Sequence, residues 1–204
     1  MSTKGINSLE YSAGAVSKGF WFQEFKKYNE LLHNGFEDGE IKQMQEEKNI
    51  FLAPSEAYGK KAVNEISRRT RAMPKEIYTM FTSLPVSDQK ILNILGLMMT
   101  DRLFFEYMYE VYREKIITGD LEFDNSDIRV FLKNKSEQSK KVSNFASQTK
   151  KRLVGAYKTY LKEANLLIED KGLSMVKKPI LDINLEKEMR TRNLYPFLRV
   201  FLGE

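Results

Sequence analysis

Ile91, Leu92, Ile94, Leu95, Leu97, Met98 and Met99 leave a helix through this stretch apolar on most of its sides. A helix of that kind has no face for water and belongs at the centre of a bundle. The run is about half the ~20 residues that span a bilayer, and Asp101 and Arg102 follow it, so it reads as a buried helix rather than a membrane span. The break at Pro85-Val86-Ser87 precedes it, with Ser87 as the expected N-cap.

Helical periodicity surrounds this centre. Trp21, Phe25, Tyr28 and Leu32 share one face of a helix that ends near Asn34-Gly35. Asp38 is placed to cap a shorter, acidic helix with Ile41 and Met44 inward. A third helix opens at Pro54-Ser55 and runs to about Ala72, with Tyr58, Ala62, Ile66, Thr70 and Met73 inside. Pro74 ends it and starts a fourth helix through Phe81. Asp101 to Ile117 continues as helix and stops at Gly119.

The pattern then changes. Ser126 or Asp127 can cap a helix bearing Ile128, Phe131 and Leu132. The polar stretch NKSEQSKK leads to a long helix from about Ser143 to Ala164, with Phe145, Thr149, Leu153, Ala156, Tyr160 and Leu161 inside. Leu166–Glu169 and Leu173–Val176 flank Asp170-Lys171-Gly172, read as a three-residue hairpin loop with glycine at the positive φ. Helix, turn, longer helix and hairpin is the order of a winged helix-turn-helix. The expected fold is all-α, a compact helical bundle with a winged-helix-like C-terminal part carrying a short β-hairpin. Residues 1–120 make an N-terminal helical domain, 121–180 the winged part, and 181–204 an apolar segment packing back on the body.

The 204 residues suffice for a sizeable core, and a composition 42% hydrophobic and 30% charged is that of a folded soluble protein. The chain has no cysteine, which excludes disulfides, thiolate metal sites and cysteine nucleophiles. The first residues lack the apolar segment of a secretory signal, and a cytoplasmic location is expected. His33 is the only histidine, so no histidine-based dyad, triad or two-histidine metal site can be built. Ser12-Ala13-Gly14 and Ser17-Lys18-Gly19 lack the strand a phosphate loop needs. The acids Glu37, Asp38, Glu40, Glu46 and Glu47 lack calcium-loop spacing and read as a solvated helix face. No enzyme activity, cofactor or metal is expected.

Net charge is +5, but its distribution says more. Residues 133–178 carry twelve Lys/Arg against four Asp/Glu, residues 60–75 six against one, and residues 37–48 two against five. Lys60, Asn64, Ser67, Arg68 and Arg71 are spaced to share the outer face of the third helix, with Lys61 beside them and Arg69 at the margin. Few acids share that face, Lys61–Glu65 being the expected ion pair. On the long helix Ser147, Gln148, Lys150, Lys151, Arg152 and Lys158 surround the apolar stripe. Ser147, Gln148 and Lys151 stand where a recognition helix meets base edges, and Lys171, Lys177 and Lys178 on or after the wing would reach phosphates. A solvated, lysine-rich surface is the plain alternative for both segments.

The phrases YSAGAVSKGFWFQEFKKYNELLHNGFEDGEIKQ, NIFLAPSEAYGKKAVNEISRRTRAM and SDIRVFLKNKSEQ resemble the BrxA family, whose genes lie in BREX phage-exclusion clusters. The likeness covers most of the chain and rests on extended phrases rather than a short motif. The apolar C-terminal segment lies outside them. The resemblance implies an all-α cytoplasmic protein that binds DNA beside other components of a phage-defence system. Family members also resemble a helical RNA-binding antitermination factor, and no catalytic residue carries over.

The combined expectation is a monomeric, non-enzymatic double-stranded DNA-binding protein, with other BREX components as further partners. Its two basic surfaces either clamp one duplex or divide between DNA and a protein. A protein-interaction adaptor and an RNA-binding factor are the rival readings.

Overall fold

The structure is a computed structural model that describes residues 5, 6, 8–170 and 172–204. Its helices are α1 (Phe22–His33), α2 (Asp38–Lys48), α3 (Glu56–Ala72), α4 (Lys75–Tyr78), α5 (Val86–Thr100), α6 (Arg102–Tyr107), α7 (Arg113–Thr118) and α8 (Asn125–Gln138). They continue as α9 (Lys140–Ser143), α10 (Ser147–Glu163), α11 (Ile183–Thr191) and α12 (Tyr195–Leu202). A hairpin of β1 (Leu167–Asp170) and β2 (Leu173–Val176) stands between α10 and α11. The fold is mostly helical with one small hairpin, as the sequence predicts.

Helix α5 lies at the centre, with every residue from Ile91 to Met99 buried. It starts at Val86 with Pro85 as N-cap, two residues earlier than a Ser87 cap would give. Helix α3 crosses it closely at Gly96, where an added Cβ would sit 2.8 Å from the Arg69 Cβ and 3.0 Å from the Arg69 carbonyl oxygen. Only glycine allows that approach.

Local chemistry explains the boundaries. Ser55 caps α3, its hydroxyl accepting from the Tyr58 amide. Glu37, not Asp38, is the N-cap of α2, closing a capping box with Glu40. Asp38 instead accepts from the Tyr28 hydroxyl at 2.6 Å and from Lys42 at 2.8 Å. The long helix expected from Asp101 is interrupted. Asp101 caps α6 by accepting from the Phe104 amide, and a π-helical turn (Met108–Tyr112) separates α6 from α7. Gly119, at φ 73°, ends α7.

Asp124 caps α8 and closes a capping box with Asp127. Helix α8 runs through most of NKSEQSKK, which sequence reading assigned to a turn; Lys135 within it is buried. The turn proper is shorter, with α9 inside it, and α10 begins at Ser147 rather than Ser143. Asp170 pairs with Leu173 in the ladder, so it belongs to β1 rather than to a three-residue loop. Residues 121–123 supply a third edge that sequence reading missed. The Phe123 amide donates to the Ser174 carbonyl, the Val176 amide to the Leu121 carbonyl, and Glu122 bridges Met175.

The described apolar residues form one continuous core. Helices α11 and α12 join it through Leu185, Met189, Phe197, Leu198, Val200 and Phe201, with the Phe197 ring 5.1 Å from that of Phe105.

Candidate nucleic-acid interface

Helices α8 and α10 lie side by side and leave a groove of about 670 Å³ between them. Arg129 and Lys133 line one wall; Lys150, Lys151 and Lys158 line the other. Leu132 and Val154 form its floor, Asn125, Ser136 and Ser147 add neutral polar groups, and among the described residues no carboxylate lines it. Lys133 and Lys151 have no ion-pair partner among the described residues. Lys150 has only the Ser143 carbonyl, at 3.5 Å, and Lys158 lies over the Phe123 ring. Arg129 meets Asp124 at 3.7 Å, both side chains being exposed, which is a weak pairing. The groove thus concentrates positive charge, little of it compensated, above an apolar floor.

The other side of α8 has the opposite sign. A groove of about 430 Å³ there is lined by Glu110, Glu114, Asp120 and Asp127, with Lys115 as its cation. Lys115 is occupied, 3.3 Å from Asp127 and 3.6 Å from Asp120. A polyanion is attracted to one side of α8 and repelled from the other.

Beneath the basic groove, Lys135 ties α8 to the helical body. Its ammonium stands 2.6 Å from Glu106 and 2.6 Å from Glu110. Glu106 also accepts from Tyr11 and Arg102. Burial disfavours both charges, but the hydrogen bonds outweigh it, holding the Glu106 carboxyl below its ordinary value and the Lys135 ammonium above.

Of the residues predicted on the long helix, Ser147, Lys150, Lys151 and Lys158 line the groove. Gln148 is exposed outside it. Arg152 turns away, donating to the Val16 carbonyl at 3.1 Å. Lys177 and Lys178 are exposed at the base of the hairpin, where the Lys177 amide donates to Leu166 and its carbonyl accepts from Tyr112. Lys171 lies outside the described residues.

The face of α3 differs from expectation. Ser67 and Arg69 are fully buried. The acidic helix α2 packs beside α3 and supplies the carboxylates that the linear sequence seemed to lack. Lys60 meets Glu46 at 3.4 Å and Arg71 meets Asp38 at 3.5 Å. Glu65 pairs with Arg68 at 2.8 Å and Lys18 at 3.0 Å rather than with Lys61, which is exposed. This is a compensated surface, not a free cationic one.

Sequence reading missed Asn125, Arg129, Lys133 and Ser136. Their spacing of four, four and three marks one stripe of a helix, but nothing local says that α10 lies opposite it.

The model of the BrxA family matches residues 9–193, most of the chain and all of the groove. The chain belongs to the BrxA family. A BrxA relative from Bacillus cereus (strain H3081.97), named "BREX protein BrxA", is 29% identical over 199 residues, covering 98% of this chain and 100% of the relative. A crystal structure of an uncharacterized protein from Magnetospirillum magneticum matches with a TM-score of 0.77 at 13% identity. It covers 96% of this chain and 100% of that one, so the BrxA chain shares its fold.

Proposed function

We propose that this chain is a non-enzymatic double-stranded DNA-binding component of a bacterial BREX phage-exclusion system, working in the cytoplasm. The observation that carries the DNA reading is the α8–α10 groove, where five cations converge and no carboxylate is among the described lining residues. Lys/Arg side chains that replace condensed counterions supply most of the affinity of such contacts. The order α7, strand segment 121–123, α8, turn, α10 and hairpin supports it, being the order of a winged helix-turn-helix. In that arrangement the first turns of α10 stand at the major groove, with Ser147 toward base edges and Lys151 on a phosphate. The BREX role rests on family membership and on the name of the B. cereus relative.

Fluorescence anisotropy of a labelled duplex, titrated at several salt concentrations, tests the reading. Log affinity should fall with log salt at roughly −0.9 per phosphate neutralised, so five groove cations give a slope near −4.5. Negligible binding at low salt overturns it, and stronger competition by duplex RNA than by duplex DNA replaces it with an RNA reading.

A further inference from the structure

Three glycines stand beyond the first turn of long helices, and two have a packing reason. A Cβ at Gly59 would come 2.2 Å from the Gln45 side chain, and one at Gly96 would strike Arg69. Gly155, in the middle of α10, has none: an added Cβ there meets nothing within 4 Å. Glycine in mid-helix is unfavourable relative to alanine, and packing within the chain does not call for it here. What Gly155 leaves is a patch of bare backbone on the wall of the basic groove.

Its neighbours define what fits. Lys151 and Lys158 stand four residues before and three after it on the same wall, and Arg129 and Lys133 face them from α8. The seven-residue span from Lys151 to Lys158 is about 10 Å of helix, enough to engage more than one phosphate of a strand. A bulky side chain between them would hold a strand off the floor at the point where the cations converge.

We infer that one sugar–phosphate strand of a DNA duplex runs along the α8–α10 groove and passes flush over the backbone at Gly155. This rests on the DNA-binding reading and adds the path of the strand. The groove engages a duplex by its backbone, and Gly155 sets how closely that backbone approaches.

The cysteine-free chain allows a direct test. Gly155→Cys gives the protein a single thiol in the groove, and Gly39→Cys places one on α2, where an added Cβ also meets nothing within 4 Å. Saturating duplex should slow maleimide modification of the Gly155→Cys thiol at least tenfold and leave the Gly39→Cys thiol unaffected. Gly155→Leu should weaken duplex binding at least tenfold with an unchanged circular dichroism spectrum, and Gly155→Ala should weaken it less. If these variants bind duplex like the unaltered chain and the thiol is unprotected, the strand path is wrong while the DNA reading stands. If the unaltered chain itself does not bind duplex, the DNA reading fails and takes the strand path with it.

Discussion

Arg69 Nη1 donates to the Phe20 carbonyl oxygen at 3.0 Å, joining residues 49 apart in sequence inside the core. Nη2 reaches the Gly19 carbonyl at 2.8 Å, Asn93 Oδ1 accepts at 3.3 Å, and the Trp21 ring lies against the guanidinium. Among the described residues no carboxylate forms an ion pair with this charge; carbonyls and a π face solvate it. Burial pulls its pKa down to about 10, so it stays cationic at neutral pH. The arrangement holds Trp21 in the left-handed conformation (φ 52°, ψ 49°) that starts α1.

Arg69→Lys should therefore destabilise the protein by roughly 3 kcal/mol. One ammonium cannot replace a planar fork that reaches three acceptors, and unsatisfied buried carbonyls are costly. Urea unfolding followed by circular dichroism gives the shift.

Lys135→Met removes the charge between Glu106 and Glu110 but keeps most of the stem. Breaking a buried pair costs about 3–5 kcal/mol, and Glu106 keeps Arg102 and Tyr11, so the low end is expected. The same unfolding experiment measures it. A loss below about 1 kcal/mol would mean that Lys135 is dispensable to the seating of α8.

Asp38 sets an acid limit. Burial works against its charge, but the hydrogen bonds from Lys42 and Tyr28 prevail and hold its pKa at about 2, against 3.8 for the free group. A depressed folded pKa contributes stability above the unfolded value and loses it as pH falls through the folded one. The contribution should be complete above about pH 5 and fade from about 4 to 2, with a size of about 2 kcal/mol. Asp38→Asn should be less stable than the unaltered chain at pH 7 and close to it at pH 2.

Lys151→Ala and Lys133→Ala should each reduce the steepness of the salt dependence of duplex binding by about 0.9. Lys60→Ala and Arg71→Ala should change it less, since those cations already face Glu46 and Asp38 on α2. Anisotropy titrations of the four variants separate the two surfaces.

Sequence alone revealed the elements better than their neighbours. The apolar run of α5, the opening of α3 at Pro54-Ser55 and the Gly119 stop could be read because each depends on side chains close in sequence. The strand segment 121–123 could not, since its hydrogen bonds go to residues some fifty positions later. The α3 surface was misjudged for the same reason: Asp38 and Glu46 lie on another helix, and only packing brings them to Arg71 and Lys60. On α10 the cations were legible, but the wall opposite them was not, because the close approach of α8 is a tertiary fact.

The segment 14–20 is gripped from two directions. Arg69 holds the carbonyls of Gly19 and Phe20, while from α10 the Tyr160 hydroxyl donates to the Lys18 carbonyl at 2.7 Å and Arg152 to that of Val16. That segment works as a shared pin between α3 and α10. Loosening either grip would therefore free the segment from both helices at once.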